Sequence, residues 1–492
     1  MPTPSDPTRR RLLLQASCVF ATTSLTACGG STPGPGPAPA PPVVPPPVTP
    51  PVVPPIAPPP TSALSRLQAA VQLPPWTTGT VAPTVSQGPS NDATFSFGTG
   101  RLVVAAPGNS AGQTLANAPQ VWGFRRDRWS VPAAGVSSIG GQPVFPVSRK
   151  HVGATLSSES LCPMHFTMEG SAFEILFAGS EVRFTLLVDG VIVAPGLIDS
   201  AWSGGTRGSR LIAANAVVRV DFGTFQPRQV SLYPRSSQGA CALAFAAGDN
   251  VQAWDRSAEP SLTVLADSYG GAAGPNFMLG GPFWEAAAML SLPHLDLDAI
   301  GGTGYAPNPA PGFGNTGDAF PARVAGSVDT NPDMVITAGG INDNNSLGLF
   351  PYASASSARA GFEAATLLHF QRLRSALPQS VLVALGPWAP RQNLPTDPVA
   401  QSKADAILSA LSAAGGHWVF VDNLNGGWRC SSGASNLGTG PWQTGTGNTG
   451  TPRGDGNGDL YLNSDGVHPS TAGSLYLAQR LATDLRSALL SL

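Results

Sequence analysis

"SLTVLADSYGG" (Ser261 to Gly271) is an apolar, β-branched run that ends in a polar turn closed by glycines. A run without alternation predicts a strand buried on both faces, as in a parallel sheet covered by helices. In such sheets ligands bind beyond the C-terminal strand ends. Asp267 and Ser268 therefore stand where chemistry is to be sought.

The chain after about residue 259 keeps this grammar. "HLDLDAIGG", "DMVITAGG", "SVLVALGP" and "HWVFVDNL" read as further strands. "GPFWEAAAMLSL", "SASSARAGFEAATLLHFQRLRSAL" and "VAQSKADAILSALSAAGG" read as helices between them. "TAGSLYLAQRLATDLRSALLSL" closes the chain as a helix, with Leu475, Leu477, Leu481, Leu485, Ala488 and Leu489 mostly on one face. Strands alternating with helices predict an α/β domain over 259–492.

Upstream the pattern changes. "AFEILFAG", "EVRFTLLVDGVIVAP", "NAVVRVDFG", "RQVSLYP" and "CALAFAAG" are strand-like, and Asp189-Gly190 is a hairpin turn signal. Such a series predicts an antiparallel sandwich over 63–258. Before it, 29–62 is almost wholly Pro, Gly, Ala, Val, Thr and Ser, which cannot build a core and favours extended polyproline II. At 3.1 Å per residue it could reach roughly 90 Å.

Residues 1–28 read as an export signal. Arg9-Arg10-Arg11-Leu12-Leu13 is a basic region before an apolar stretch, and the paired arginines resemble a twin-arginine signal. Leu25-Thr26-Ala27-Cys28 resembles the lipobox of bacterial lipoproteins, which implies acylation of Cys28, an exported protein, and a membrane contact through that lipid alone. With Cys18 and Cys28 set aside, Cys162, Cys241 and Cys430 remain, and Cys162 with Cys241 is the candidate disulfide. Only 11% of residues are charged and the net charge is −2, so there is no basic field for nucleic acid.

The strand ends carry the polar residues. Ser268 follows the first strand, and Gly301-Gly302-Thr303-Gly304 follows the second, where glycines let backbone N–H groups approach a ligand. Gly339-Gly340-Ile341-Asn342-Asp343 follows the third, and an Asn amide there can donate to a developing oxyanion. Asp465-Gly466-Val467-His468-Pro469 precedes the closing helix. A hydroxyl nucleophile needs a base, and the base needs a carboxylate to fix its tautomer. Each site alone reads equally as a cap or a turn; the ordered set reads as a hydrolase.

Asp267-Ser268, Gly302, Gly340-x-Asn342-Asp343 and Asp465-x-x-His468-Pro469 resemble the four blocks of the SGNH (GDSL-like) hydrolases, over residues 259 to 492. The resemblance implies a flavodoxin-like three-layer α/β/α domain with Ser268 as nucleophile, His468 as base and then acid, and Asp465 orienting it. The Ser268 and Gly302 N–H groups and the Asn342 amide would form the oxyanion hole, with Gly301 or Gly304 as alternatives to Gly302. The first Gly of the pattern is Ala266 here, and the later Gly is displaced to Gly270 or Gly271. The other histidines lack a carboxylate in a motif context and read as structural. "DGNGD" (Asp455 to Asp459) departs from a calcium loop, with Leu460 at its sixth position, so no metal or other cofactor is expected.

A sandwich, jelly-roll-like, ahead of such a domain resembles two-domain carbohydrate esterases. This implies a serine esterase acting on a small-molecule or polysaccharide ester, with O-acetyl groups on a carbohydrate as the leading substrate. A lipase-like or aryl-ester hydrolase and a non-catalytic glycan-binding envelope lipoprotein are the alternatives. Trp388, Arg391, Trp428 and Trp442 would suit a sugar or aryl face, and the aromatics read equally as the hydrophobic packing of a loop.

Overall fold

The computed structural model describes residues 62–77, 83–87, 102–105, 138–139, 142–143, 158–161, 163–177, 183–193, 198–199, 202–203, 206–207, 216–234, 240–254, 258–270, 281–307, 319–328, 331–343, 355–388, 398–424, 468–469 and 471–492. The signal, the lipobox with Cys28, the Pro-rich segment, Cys162 and Cys430 lie outside them, as do Asp465 and the "DGNGD" run. The expected disulfide falls there too.

Five parallel strands run as the sequence pattern requires: Ser261–Ala266, His294–Ile300, Met334–Ala338, Val381–Leu385 and Trp418–Val421. In space the first lies between the second and the third, followed outward by the fourth and fifth. The first strand is thus central, with a neighbouring strand mouth on each side. Alternation on the strands splits the core in two. Leu262, Val264, Ala266, Met334, Ile336, Val381 and Val383 pack with the helices Pro282–Met289 and Thr471–Ser491. Leu265, Val335, Leu382 and Ala384 face the helices Phe320–Val328, Ala355–Ala376 and Pro398–Ala414. Three layers follow, because residues i and i+2 share a face and no strand has a solvated side.

The closing helix shows how the pattern works and where it misleads. Leu477, Leu481, Leu485 and Leu489 are buried, at spacing four, each worth roughly 1.5–3 kcal/mol of burial. Leu475, expected on the same face, is 43% exposed. At about 100° per residue it sits some 200° round from Leu477.

The upstream strands pair antiparallel, as expected. Among the described residues nine of them form one sheet, ordered by hydrogen bonding along Leu102–Ala105, Ala240–Phe245, Met164–Phe177, Ala216–Pro234, Arg183–Val188 and Val191–Ile192, while Ser138–Ile139 with Gln142–Pro143 and Trp202–Ser203 with Thr206–Arg207 make separate pairs. The other three of the nine pair at its sides. The 14- and 19-residue strands at its centre are long enough to bend. Their register shifts between Asp221 and Gln226, a bulge of the kind that increases twist. The bend lets Phe166 and Phe173 of one strand meet edge to face at 5.6 Å, with Phe245 at 5.7 Å from Phe166. Asp189 and Gly190 form the expected hairpin turn, both at positive φ (52° and 79°).

Two upstream segments join the parallel layer. Ser158–Leu161 pairs antiparallel with the second parallel strand and becomes an edge of that sheet. The helix Ala63–Ala70 is N-capped by Ser62 and sends Leu67 and Ala70 into the core shared with the closing helix. Arg66 pairs with Asp333, Gln68 donates to Leu489 O at 3.0 Å, and Arg486 Nε donates to Val71 O at 2.9 Å. The antiparallel sheet docks through His165, whose Nε2 lies 3.1 Å from His294 Nδ1, and through Tyr233, whose hydroxyl donates to Pro293 O at 2.7 Å.

Asp333 is 1% exposed and also accepts from Ser261 N at 2.8 Å, so it ties the start of the first strand to the upstream helix. Asp333→Ala would remove the acceptor of the buried Ser261 N–H and the carboxylate facing Arg66, and should cost about 3–5 kcal/mol in urea unfolding. A loss under about 1 kcal/mol would show that the upstream helix is not coupled to the sheet.

Candidate active site

The turn after the first strand is built by its own side chain. Asp267 Oδ1 accepts from Tyr269 N at 2.9 Å, and Gly270 N donates to Asp267 O at 3.0 Å. Ser268 sits at the corner of this turn, half-buried between buried neighbours. The departure of the sequence from the family pattern has a steric account. A Cβ on Gly270 would lie 2.5 Å from the Ala266 methyl. The methyl present at 266 thus occupies space that the glycine at 270 vacates.

His468 reaches this corner from the other end of the domain. Its Nε2 lies 2.9 Å from Ser268 Oγ, joining residues 200 apart in sequence. That distance is a hydrogen bond between a hydroxyl and a ring nitrogen. Asp465, its expected orienting partner, lies outside the described residues.

The flanking loops hold the expected donors. Gly302 follows the second strand at φ 75°, and a Cβ on Gly301 would lie 3.7 Å from Ser268 Cβ, so this turn abuts the Ser268 corner. Asn342 follows the third strand and donates from Nδ2 to Thr303 O at 2.9 Å, clasping the Gly302 turn. The Asn amide carries a second hydrogen for another acceptor. Ser268, His468, Gly302 and Asn342 therefore gather at the C-terminal ends of three adjacent parallel strands.

Beneath the site lies a polar foundation for which the sequence reading had no place. Arg323, 5% exposed, donates from Nη1 to Ala266 O at 3.2 Å and to Thr303 Oγ1 at 3.1 Å. Its Nη2 donates to Asp298 O at 2.7 Å and stands 2.8 Å from Asp298 Oδ1. Asp343 accepts from Tyr305 N at 3.1 Å and Ala306 N at 2.8 Å, with its acidity weakened first by burial. His369 is buried against Thr337 Oγ1 at 2.9 Å, and burial pushes its pKa down to about 3, so it stays neutral. One signal pointed to a buried cation: Asp298 interrupts the apolar strand "HLDLDAI", and a buried carboxylate calls for a partner.

Of the two roles expected for Trp388, packing is the one found. Trp388 is 2% exposed and stacks on Tyr269, with centroids 4.6 Å apart and planes within 10°. It is a packed ring rather than an open sugar face. Trp428, Trp442 and Arg391 lie outside the described residues.

Asp267 is fully buried, and burial pushes its pKa up from 3.8 to about 7. The Tyr269 N–H opposes this shift, the Asp343 charge adds to it and Arg323 offsets part of it. The folded protein holds this proton where the unfolded chain releases it, so its contribution to stability is complete below pH 4 and fades as pH rises to about 7. Relative to Asp267→Asn, wild type should lose a few kcal/mol across that window. Parallel stability curves for the two proteins would refute the assignment. Gly270→Ala should lower the thermal midpoint, and adding Ala266→Gly should recover part of the loss; no recovery would mean that the two positions do not share space.

No protein-family model matches the chain. No curated protein matches it. Solved structures are similar at low identity. A family two carbohydrate esterase from Clostridium thermocellum, in complex with cellohexaose, is 15% identical with a TM-score of 0.43, over 68% of this chain and 95% of that one. The salicylyl-acyltransferase SsfX3 from a tetracycline biosynthetic pathway is 15% identical with a TM-score of 0.46, over 79% and 98%. A protein named as a GDSL-like lipase from Bacteroides ovatus is 12% identical with a TM-score of 0.40, over 67% and 84%. By name they are a carbohydrate esterase, an acyltransferase and a GDSL-like lipase.

Proposed function

We propose that this chain is a serine esterase that cleaves carboxylic esters through an acyl-enzyme. The reading rests on one observation, the 2.9 Å bond between Ser268 Oγ and His468 Nε2 at the mouth of the parallel sheet. Ser268 Oγ attacks the ester carbonyl carbon while His468 Nε2 takes its proton. The carbonyl oxygen becomes an oxyanion facing the Ser268 N–H, the Gly302 N–H and the Asn342 amide. Collapse of this intermediate expels the alcohol, which receives the proton from His468. A water then repeats the sequence on the acyl-enzyme, releasing the acid and restoring Ser268. Asp465 would fix the His468 tautomer.

The finer assignments are part of the same proposal. O-acetyl groups on a carbohydrate are the substrate, the upstream sheet is an accessory domain of sandwich type, and the chain is exported and anchored through an acyl group on Cys28. The two grammars of the sequence and the Leu25-Thr26-Ala27-Cys28 motif support these parts.

A fluorophosphonate probe should label the folded wild type and leave Ser268→Ala unlabelled. Equal labelling of both proteins, or none of the wild type, would sink the esterase reading. Acetate release from acetylated xylan should exceed hydrolysis of long-chain p-nitrophenyl esters; the reverse ranking would move the substrate to lipids or aryl esters.

A further inference from the structure

The proposed reaction needs the His468 imidazole held in one plane, and the geometry points to Tyr269 and Trp388 as the residues that hold it. This inference rests on the reading of Ser268 and His468 as nucleophile and base. We infer that the stacked pair is a positioning wall for the base, acting through ring contact and not through substrate.

The wall is assembled from three places in the chain. Tyr269 immediately follows the nucleophile and is 1% exposed, its N–H tied to Asp267 Oδ1 at 2.9 Å. Trp388 stands just past the fourth strand, whose neighbours are the third and fifth strands and not the first. To reach Tyr269 the Pro387-Trp388 loop must cross the mouth of the third strand. Gly340 permits the crossing. It sits at φ 108°, and a Cβ there would lie 3.0 Å from Pro387 Cβ. Lys403 Nζ donates to Gly340 O at 2.9 Å and fixes this glycine from the helix Pro398–Ala414.

The Tyr269 ring, backed by Trp388, then meets the base. The His468 ring centroid is 5.8 Å from that of Tyr269, tilted by 49°, while its Nε2 holds Ser268 Oγ at 2.9 Å. An imidazole turns about two side-chain torsions, and a flat wall on one side removes most of that freedom. The Trp388 Nε1 is buried with no hydrogen-bond partner among the described residues. A buried indole N–H left unpaired is disfavoured. The ring is therefore placed there for its face.

The test is turnover per working site. An acyl burst with p-nitrophenyl acetate counts the sites that acylate, which separates a misfolded fraction from a slower enzyme. Tyr269→Leu and Trp388→Leu should each lower kcat per titrated site by about 10- to 100-fold. KM should change by less than about twofold, as expected when only transition-state geometry is lost. The double variant should be little worse than either single, since the two rings form one device. Tyr269→Phe and Trp388→Phe should recover most of the loss, and they carry the test alone if the leucine variants do not fold. Unchanged kcat per site in the leucine variants, or phenylalanine variants as slow as the leucine ones, would overturn the inference. Turnover by Ser268→Ala would instead remove the esterase reading itself.

Discussion

The buried pair Arg323–Asp298 is the constraint on which the site depends. The side chains are 3% and 0% exposed, so neither charge is solvated. Breaking such a pair by removing one partner costs about 3–5 kcal/mol, since the other charge is left in a dry interior. Its effect is more than cohesion. One guanidinium reaches the end of the first strand at Ala266 O, the second strand at Asp298 O and the Gly302 turn at Thr303 Oγ1. The strand that delivers Ser268 and the turn that carries a proposed oxyanion donor are thereby locked to the same rigid group. Asn342 closes the arrangement from the third strand through Thr303 O. A well-packed apolar substitute could keep the fold, but it could not fix three backbone segments by direction, because dispersion contacts are not directional.

A second constraint is negative charge near the nucleophile. Asp267 and Asp343 are both buried, and each has its acidity weakened chiefly by burial. An ionised carboxylate on Asp267, next to Ser268 in the chain, would oppose the oxyanion of the proposed reaction. Holding Asp267 near pKa 7 leaves it largely protonated below neutral pH. Its Oδ1 can accept the Tyr269 N–H in either state, so the turn survives its titration. The shape of the nucleophile's turn and the charge behind it are therefore set by the same side chain.

The parallel sheet was legible because most of its strands are buried on both faces and read as apolar runs, with only Asp296 and Asp298 breaking the second. Ser268, Gly302 and Asn342 were legible because they stand at the ends of those runs, where glycine and polar residues have no packing reason to be. What stayed hidden was of two kinds. Arg323 lies on the buried side of the short helix Phe320–Val328, where an apolar residue would be expected, and only its partner Asp298 marked it from afar. The Tyr269–Trp388 stack depends on a loop crossing a neighbouring strand, and linear spacing does not encode which loops cross. In the upstream sheet the alternation was legible, but the register shift between Asp221 and Gln226 was not.

The boundary between the two grammars is likewise not a boundary in the packing. The family resemblance begins near residue 259, yet the sheet it describes is finished by Ser158–Leu161, and the closing helix is covered by Ala63–Ala70. A parallel sheet without that edge strand would present the open backbone of His294–Ile300, the very strand whose end carries the Gly302 turn. Without the upstream helix, Leu481, Leu485 and Leu489 would lose part of the core they share with Leu67 and Val71. Arg486 would lose its bond to Val71 O as well. The contacts that hold the outer layer against the first strand thus come partly from residues that carry none of the hydrolase motifs. The unit competent to hold Ser268 and His468 at bonding distance is therefore larger than the segment in which they are found.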